Sequence, residues 1–117
     1  MKKKIFCFDL DNVICKTNKS EYKKSIPITK VIDLINLVYD QNYYIKIFTS
    51  RYMGRNNDNF NLVKKKYYNE TKRYLKKWGV KHHELIMGKP SYDVFVDDKN
   101  FLFIKNWVNA FKKKYLK

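Results

Sequence analysis

Hydrophobic and polar positions change period several times along this chain. From Lys3 to Leu10 the residues alternate and are rich in β-formers, which predicts a first strand running into the acidic pair Asp9 and Asp11. A polar, lysine-bearing loop extends from Asn12 to Pro27. Pro27 and Thr29 then signal a helix start, and Val31, Ile32, Leu34, Ile35, Leu37 and Val38 line one apolar face as far as Asn42. Tyr43 to Phe48 reads as a second strand, followed by the polar turn Thr49 to Asn57. Phe60, Val63, Tyr67, Thr71, Tyr74, Leu75 and Trp78 recur at helical spacing, and Gly79 is placed to close that helix. Glu84 to Met87 predicts a third strand, and Asp93 to Asp97 a fourth, short and buried. A last helix turns Trp107, Ala110 and Phe111 inward and carries the basic tail Lys112 to Lys117.

Strand, helix, strand, helix, strand, strand and helix in that order describe an α/β domain with a mainly parallel sheet, since parallel neighbours need crossovers and the helices supply them. The expected unit is residues 1–117 as a single domain, a length with no room for a second. In such sheets ligands gather at the carboxyl ends of the strands. The polar clusters of this chain fall at those ends or just after them. The only glycines are Gly54, Gly79 and Gly88, so a glycine-rich phosphate loop is excluded.

Composition narrows the class. Hydrophobic residues make up 44% of the chain, with ten Tyr, eight Phe and two Trp, ample for a packed core and too much for a disordered chain. Apolar runs fall far short of the roughly 18 residues that cross a bilayer. The stretch Ile5 to Phe8 behind the basic start is too short for a signal peptide. A cytoplasmic protein without a membrane partner is the expectation. Cys7 and Cys15 have no metal-ligand spacing and read as reduced thiols, Cys7 as a small buried hydrophobe. His82 and His83 are adjacent, would point to opposite faces of a strand, and read as structural.

The net charge of +15 attracts polyanions. Only Arg51, Arg55 and Arg73 are arginines, however, which leaves 23 of the 26 basic residues as lysine. That bias is typical of AT-rich coding, whereas dedicated phosphate readers favour the arginine fork. Most of the charge reads as solvated lysine faces, with some left to draw in a phosphorylated substrate.

Four clusters carry candidate chemistry: Asp9-Leu-Asp11-Asn-Val13 after the first strand, Thr49-Ser50-Arg51 after the second, Gly88-Lys89-Pro90 after the third, and Asp97-Asp98 after the fourth. Together they bring carboxylates, a hydroxyl and an ammonium to one sheet edge. Carboxylates crowded there resist ionisation unless a cation lies among them, and hard oxygen ligands suit Mg²⁺. Arg51 and Arg55 hold two of the three arginines within one turn. They are expected to bind, with Ser50 beside them, the non-transferred part of a substrate.

On these four clusters, in this order, the chain resembles the haloacid dehalogenase (HAD) superfamily along essentially its whole length. The resemblance implies a Rossmann-like three-layer core without a cap domain and a Mg²⁺-dependent phosphatase working through an aspartyl phosphate. Asp9 would be the nucleophile and Asp11 the general acid and base. Thr49 would hydrogen-bond the phosphoryl group, and Lys89 would neutralise its charge. Asp9, the Asp11 carbonyl, Asp98 and Asp97 would hold the metal. Val13 and Leu102 stand where many members have Thr and an acidic residue.

The segments Thr49 to Arg55 and His83 to Asn100 look like those of short capless members associated with capsule and surface-polysaccharide synthesis, which implies a sugar phosphate or related metabolite. A capless site either takes a large substrate or borrows a second copy of the chain as a lid. The alternative is a polynucleotide 3′-phosphatase or nucleic-acid binder, which would use the same chemistry on DNA or RNA ends. A phosphoacceptor receiver domain fits poorly, because its accepting Asp would follow the third strand, where Met87-Gly88 stands.

Overall fold

The computed structural model describes residues 3–117. Its main sheet has three parallel strands in the order β1 (Ile5–Phe8), β4 (Tyr44–Phe48) and β5 (Glu84–Ile86). Helix α1 (Thr29–Asp40) crosses from β1 to β4, α2 (Phe60–Lys77) from β4 to β5, and α3 (Trp107–Tyr115) closes the chain. This is the expected α/β, Rossmann-like core with a mainly parallel sheet, and neither crossover holds an inserted cap. The Asn12–Pro27 interval is more ordered than a plain loop. A small antiparallel pair, β2 (Cys15–Lys16) with β3 (Ile26–Pro27), folds it back on itself around a 3-10 turn at Tyr22–Lys24.

Register decides which side chains meet the helices. Phe6 lies opposite Ile45, Phe8 opposite Ile47, and Ile47 opposite Leu85, so these residues share one face. Phe6 and Phe8 pack on Phe111 of α3, and α1 contributes Val31, Ile32, Leu34, Ile35 and Val38 to the same core. Around β1 the opposite face is open. Ile5 is 55% exposed, and Cys7 faces solvent where a buried thiol was expected. Alternation put Cys7 on the face away from Phe6 and Phe8, and no helix covers it there.

Helix ends follow local chemistry. Asn59 caps α2 by accepting the Leu62 N–H at 3.1 Å. Gly79 ends it at φ 71°, with its N–H on the Lys76 carbonyl and the Val80 N–H on the Leu75 carbonyl, the paired closure that a left-handed residue permits. Helix α1 stops at Asp40 and Asn42 takes φ 69°. In α3 the inward residues are Trp107, Val108 and Phe111, while Ala110 is exposed against expectation. Leu37 likewise lies outside the buried stripe of α1.

The expected fourth strand does not form. Val94 is 79% exposed and Val96 91% exposed, and Asp93–Asp97 pairs with no other segment. Three consecutive apolar residues between aspartates have the look of a short buried strand but need a ladder partner to become one. Here the Lys99 N–H bonds instead to Asp97 Oδ1 at 3.0 Å, a local turn that competes with pairing.

Candidate active site

Three parallel strands ending side by side bring their following residues to one edge. Two further bonds continue the β4–β5 ladder beyond the strands: the Thr49 N–H to Ile86 O at 3.0 Å and the Lys89 N–H to Thr49 O at 3.1 Å. They set Lys89 next to Thr49 and lead its ammonium to Asp9 Oδ2, 3.6 Å away. Gly88 makes this turn possible. It sits at φ 94°, and a Cβ there would drive into the Phe60 ring. Lys89 is mostly buried, with its ammonium 4.7 Å from the Phe95 ring centre, 5.2 Å from Tyr92 and 5.9 Å from Phe48. Burial opposes its charge, but Tyr92 and Asp9 outweigh that and hold its pKa above the ordinary lysine value.

Asp9 accepts the Leu10 N–H on Oδ1 at 2.8 Å, leaving Oδ2 toward Lys89. Burial pushes its carboxyl above the usual range; Lys89 and the Leu10 N–H pull it down, and Asp11 pushes it up. Past Asp9 the chain winds through one tight turn. The Leu10 carbonyl accepts N–H groups from Val13, Ile14 and Cys15, and Asn12 takes φ 65°. This turn leads Asp11 into a polar nest.

That nest is built around Arg51. Its Nε lies 3.1 and 3.0 Å from the two Asp11 oxygens, and its Nη2 donates to Asp11 Oδ1 at 2.9 Å and to Ser25 Oγ at 2.7 Å. Thr17 donates to the same Asp11 oxygen at 2.5 Å. The guanidinium carbon lies 5.0 Å from the Tyr22 ring and 5.8 Å from Tyr74. Arg51 is 0% exposed, the largest fully buried side chain described, and its Nη1 has no partner. Burial opposes its charge, while the Asp11 bonds raise its pKa further above the ordinary value. Its own N–H donates to Thr49 Oγ1 at 3.1 Å, and Thr49 is fully enclosed. Ser50 is half-buried and closes the turn by accepting the Met53 N–H at 3.0 Å.

Arg55 is exposed. It donates to the Ser20 carbonyl at 2.6 Å and lies over Tyr22 and Tyr52, at 5.3 and 5.1 Å. Tyr22 thus lies against both arginines, which fasten the β1–α1 loop to the β4 turn. Tyr52 takes φ 67°, an uncommon conformation for a bulky residue. It is kept there by stacking on Tyr67 and by donating its hydroxyl to Glu70, and burial together with Glu70 raises its pKa.

Asp97 and Asp98 lie on the exposed segment after Asp93. The Lys99 N–H and Asp98 hold the Asp97 carboxyl below the usual range, and Lys89 is close enough to act on it as well. Among the described residues no three His, Cys, Asp or Glu side chains are grouped to hold a metal ion. The donor chemistry still suits Mg²⁺, which takes one or two carboxylates and keeps water and substrate oxygens. A cation beside Asp9 would offset the burial that resists its charge. His83 is a structural residue: it accepts the Ile45 N–H at 3.0 Å and stacks between Tyr39 and Tyr44. His82 bonds to the Val80 carbonyl and Lys72, away from the strand ends.

Sequence reasoning missed Thr17, Tyr22, Ser25 and Tyr74 around Asp11, and Phe48, Tyr92 and Phe95 around Lys89. Tyr22 alone had a signal, as the one aromatic residue in a long polar loop.

Comparison with solved structures supports the fold. A target protein from Vibrio cholerae superposes with a TM-score of 0.77 over 94% of this chain and 98% of its own, at 22% identity. Two structures of the Pnkp1/Rnl/Hen1 complex, one described as an RNA repair complex, match 98% of this chain at TM-scores of 0.54 and 0.53 and 17% and 16% identity. This chain spans only 35% and 32% of those two. No family model and no curated protein matches the sequence. No helix among the described residues is long and apolar enough to cross a membrane.

Proposed function

We propose that this chain is a phosphomonoester hydrolase of the HAD type, with Asp9 as the phosphoryl acceptor. The observation that carries the proposal is the Asp9–Lys89 pair at the strand ends. A carboxylate and an ammonium stand 3.6 Å apart, with a second carboxylate, Asp11, two residues on. An Asp9 oxygen attacks phosphorus as the ester P–O bond breaks, and Asp11 gives the leaving oxygen a proton. Asp11 then takes a proton from water, which attacks phosphorus and breaks the bond to Asp9, releasing phosphate. Lys89 faces the charge that builds on the phosphoryl oxygens, and Thr49 fixes the turn beside them. Mg²⁺ held by Asp9, the Asp11 carbonyl and the Asp97–Asp98 pair would supply further charge neutralisation when bound.

Two substrate classes are in play. The motif resemblance favours a sugar phosphate or related metabolite of capsule or surface-polysaccharide synthesis, with a second copy of the chain as lid. The charge of +15, with a fold shared in part with chains of an RNA repair complex, favours a phosphorylated polynucleotide end. Phosphate release from sugar phosphates, nucleotides and 3′-phosphorylated oligonucleotides, with Mg²⁺ or EDTA and with Asp9→Asn, tests both. Release that needs Mg²⁺ and Asp9 is the expected result, and the best substrate selects the class. Release unchanged in Asp9→Asn would sink the mechanism.

A further inference from the structure

We infer that Arg51 is a positioning residue that aims the Asp11 carboxylate and does not itself touch substrate. The inference rests on the reading of Asp11 as acid and base, and it revises the expectation that Arg51 binds the non-transferred part of the substrate. A guanidinium with no exposed surface cannot meet a phosphoryl ester arriving from solvent. What it does meet is Asp11.

The contact is a fork, and a fork fixes orientation where a point charge does not. Nε reaches both carboxylate oxygens and Nη2 reaches one of them, so the two planar groups are held in a common frame. A lysine ammonium could supply the charge without the frame. Arg51 is itself immobilised from the β1–α1 loop by Ser25 and Tyr22, from α2 by Tyr74, and by its own N–H on Thr49 Oγ1. Proton transfer demands a donor oxygen placed within hydrogen-bond reach of the leaving group. Thr17, Arg51 and the Cys15 thiol engage Asp11 Oδ1, whereas among the described residues Arg51 Nε is the one hydrogen-bond donor to Oδ2. That leaves Oδ2 with lone-pair capacity for a proton in transit.

The unpartnered Nη1 fits the same role. Buried polar atoms without partners are rare, and a guanidinium placed only for stability would be seated so that each nitrogen is satisfied. Here the seat is set by the geometry of Asp11.

The test compares wild type, Arg51→Ala and Arg51→Lys on p-nitrophenyl phosphate, whose leaving group needs little protonation, and on an alkyl phosphate, whose leaving group needs it. Rates are taken per folded molecule, with urea unfolding of each variant measured alongside. On the alkyl ester Arg51→Ala is expected to lose on the order of 10²-fold in kcat with KM within about threefold. The loss on p-nitrophenyl phosphate is expected to be smaller. Guanidinium ion added to Arg51→Ala should restore part of the rate and ammonium should not. Arg51→Lys, the variant to rely on if the alanine form does not fold, should stay impaired. A raised KM at unchanged kcat would make Arg51 a substrate contact, and wild-type kcat per folded molecule would make it structural; either result overturns the inference alone. If wild type releases no more phosphate than Asp9→Asn, the hydrolase reading falls first and takes the inference with it.

Discussion

The two halves of the acidic set are built in opposite ways. Asp9 and Asp11 follow a paired strand, sit in a turn whose carbonyls and N–H groups are bonded, and have Lys89 and Arg51 against them. Asp97 and Asp98 follow an unpaired segment whose flanking valines are in water. In the first half order is built in by the fold. In the second half the Asp97 carboxylate is held by the Lys99 N–H and by its neighbour Asp98. A site divided in this way has the proposed nucleophile, Asp9, fixed before ligand arrives, while the proposed oxygen ligands Asp97 and Asp98 remain to be gathered.

Substitution should expose that difference. The largest effect belongs to Asp9→Asn, expected to reduce phosphate release by on the order of 10³-fold or more. Asp98→Asn instead should raise the Mg²⁺ concentration for half-maximal release by roughly tenfold or more, read by titrating the metal. Equal and complete loss at both positions would mean that the two halves act as one rigid unit.

Stability gives a second contrast. Removing the buried fork by Arg51→Ala should cost about 3 kcal/mol in urea unfolding, since it strands a carboxylate in a nest built for a cation. Val96→Lys should change stability by less than about 0.5 kcal/mol. A loss above about 1 kcal/mol at Val96 would show that this segment is packed in solution and that the comparison is too sharp. Gly88→Ala falls between them, at about 1–3 kcal/mol, from a positive φ and the Phe60 ring in the path of its Cβ.

The smallest effect is one of pH. Burial lifts the Asp9 carboxyl above its unfolded value in the metal-free protein. The native state therefore holds that proton more tightly than the unfolded chain does. Stability from this group is present in acid and is lost as pH rises from about 4 through the native value. Asp9→Asn, which has no charge to bury, should unfold at a higher urea concentration than wild type at pH 7. That gap should close as the pH falls below about 4, where both side chains are neutral.

What the sequence made legible were features with local causes. The Phe60 to Trp78 periodicity and Gly79 defined α2 without outside help, and a strand running into Asp9 could be read from alternation alone. Asp93 to Asp97 carries an apolar run as strand-like as any, but a strand is a property of two segments, and the second was not in the pattern. The seat of Arg51 was hidden for a related reason. An arginine in a polar turn reads as a contact for substrate, and only the fold shows that Asp11, 40 residues earlier, lies beside it. Cys7 and Ala110 were assigned to the correct elements on the wrong faces, because period tells which residues share a side and not which side is covered.

The open face beside β1 bears on how this chain behaves among copies of itself. An exposed Ile5 on a strand with one free edge, and Val94 and Val96 in water elsewhere, are surfaces on which neighbouring chains could add strands and stick. The lysines that looked like a compositional accident oppose this as a colloidal barrier. Molecules carrying +15 repel one another over a Debye length of about 10 Å at 0.1 M salt. The chain's dispersal is therefore electrostatic and weakens wherever salt or a polyanion neutralises it.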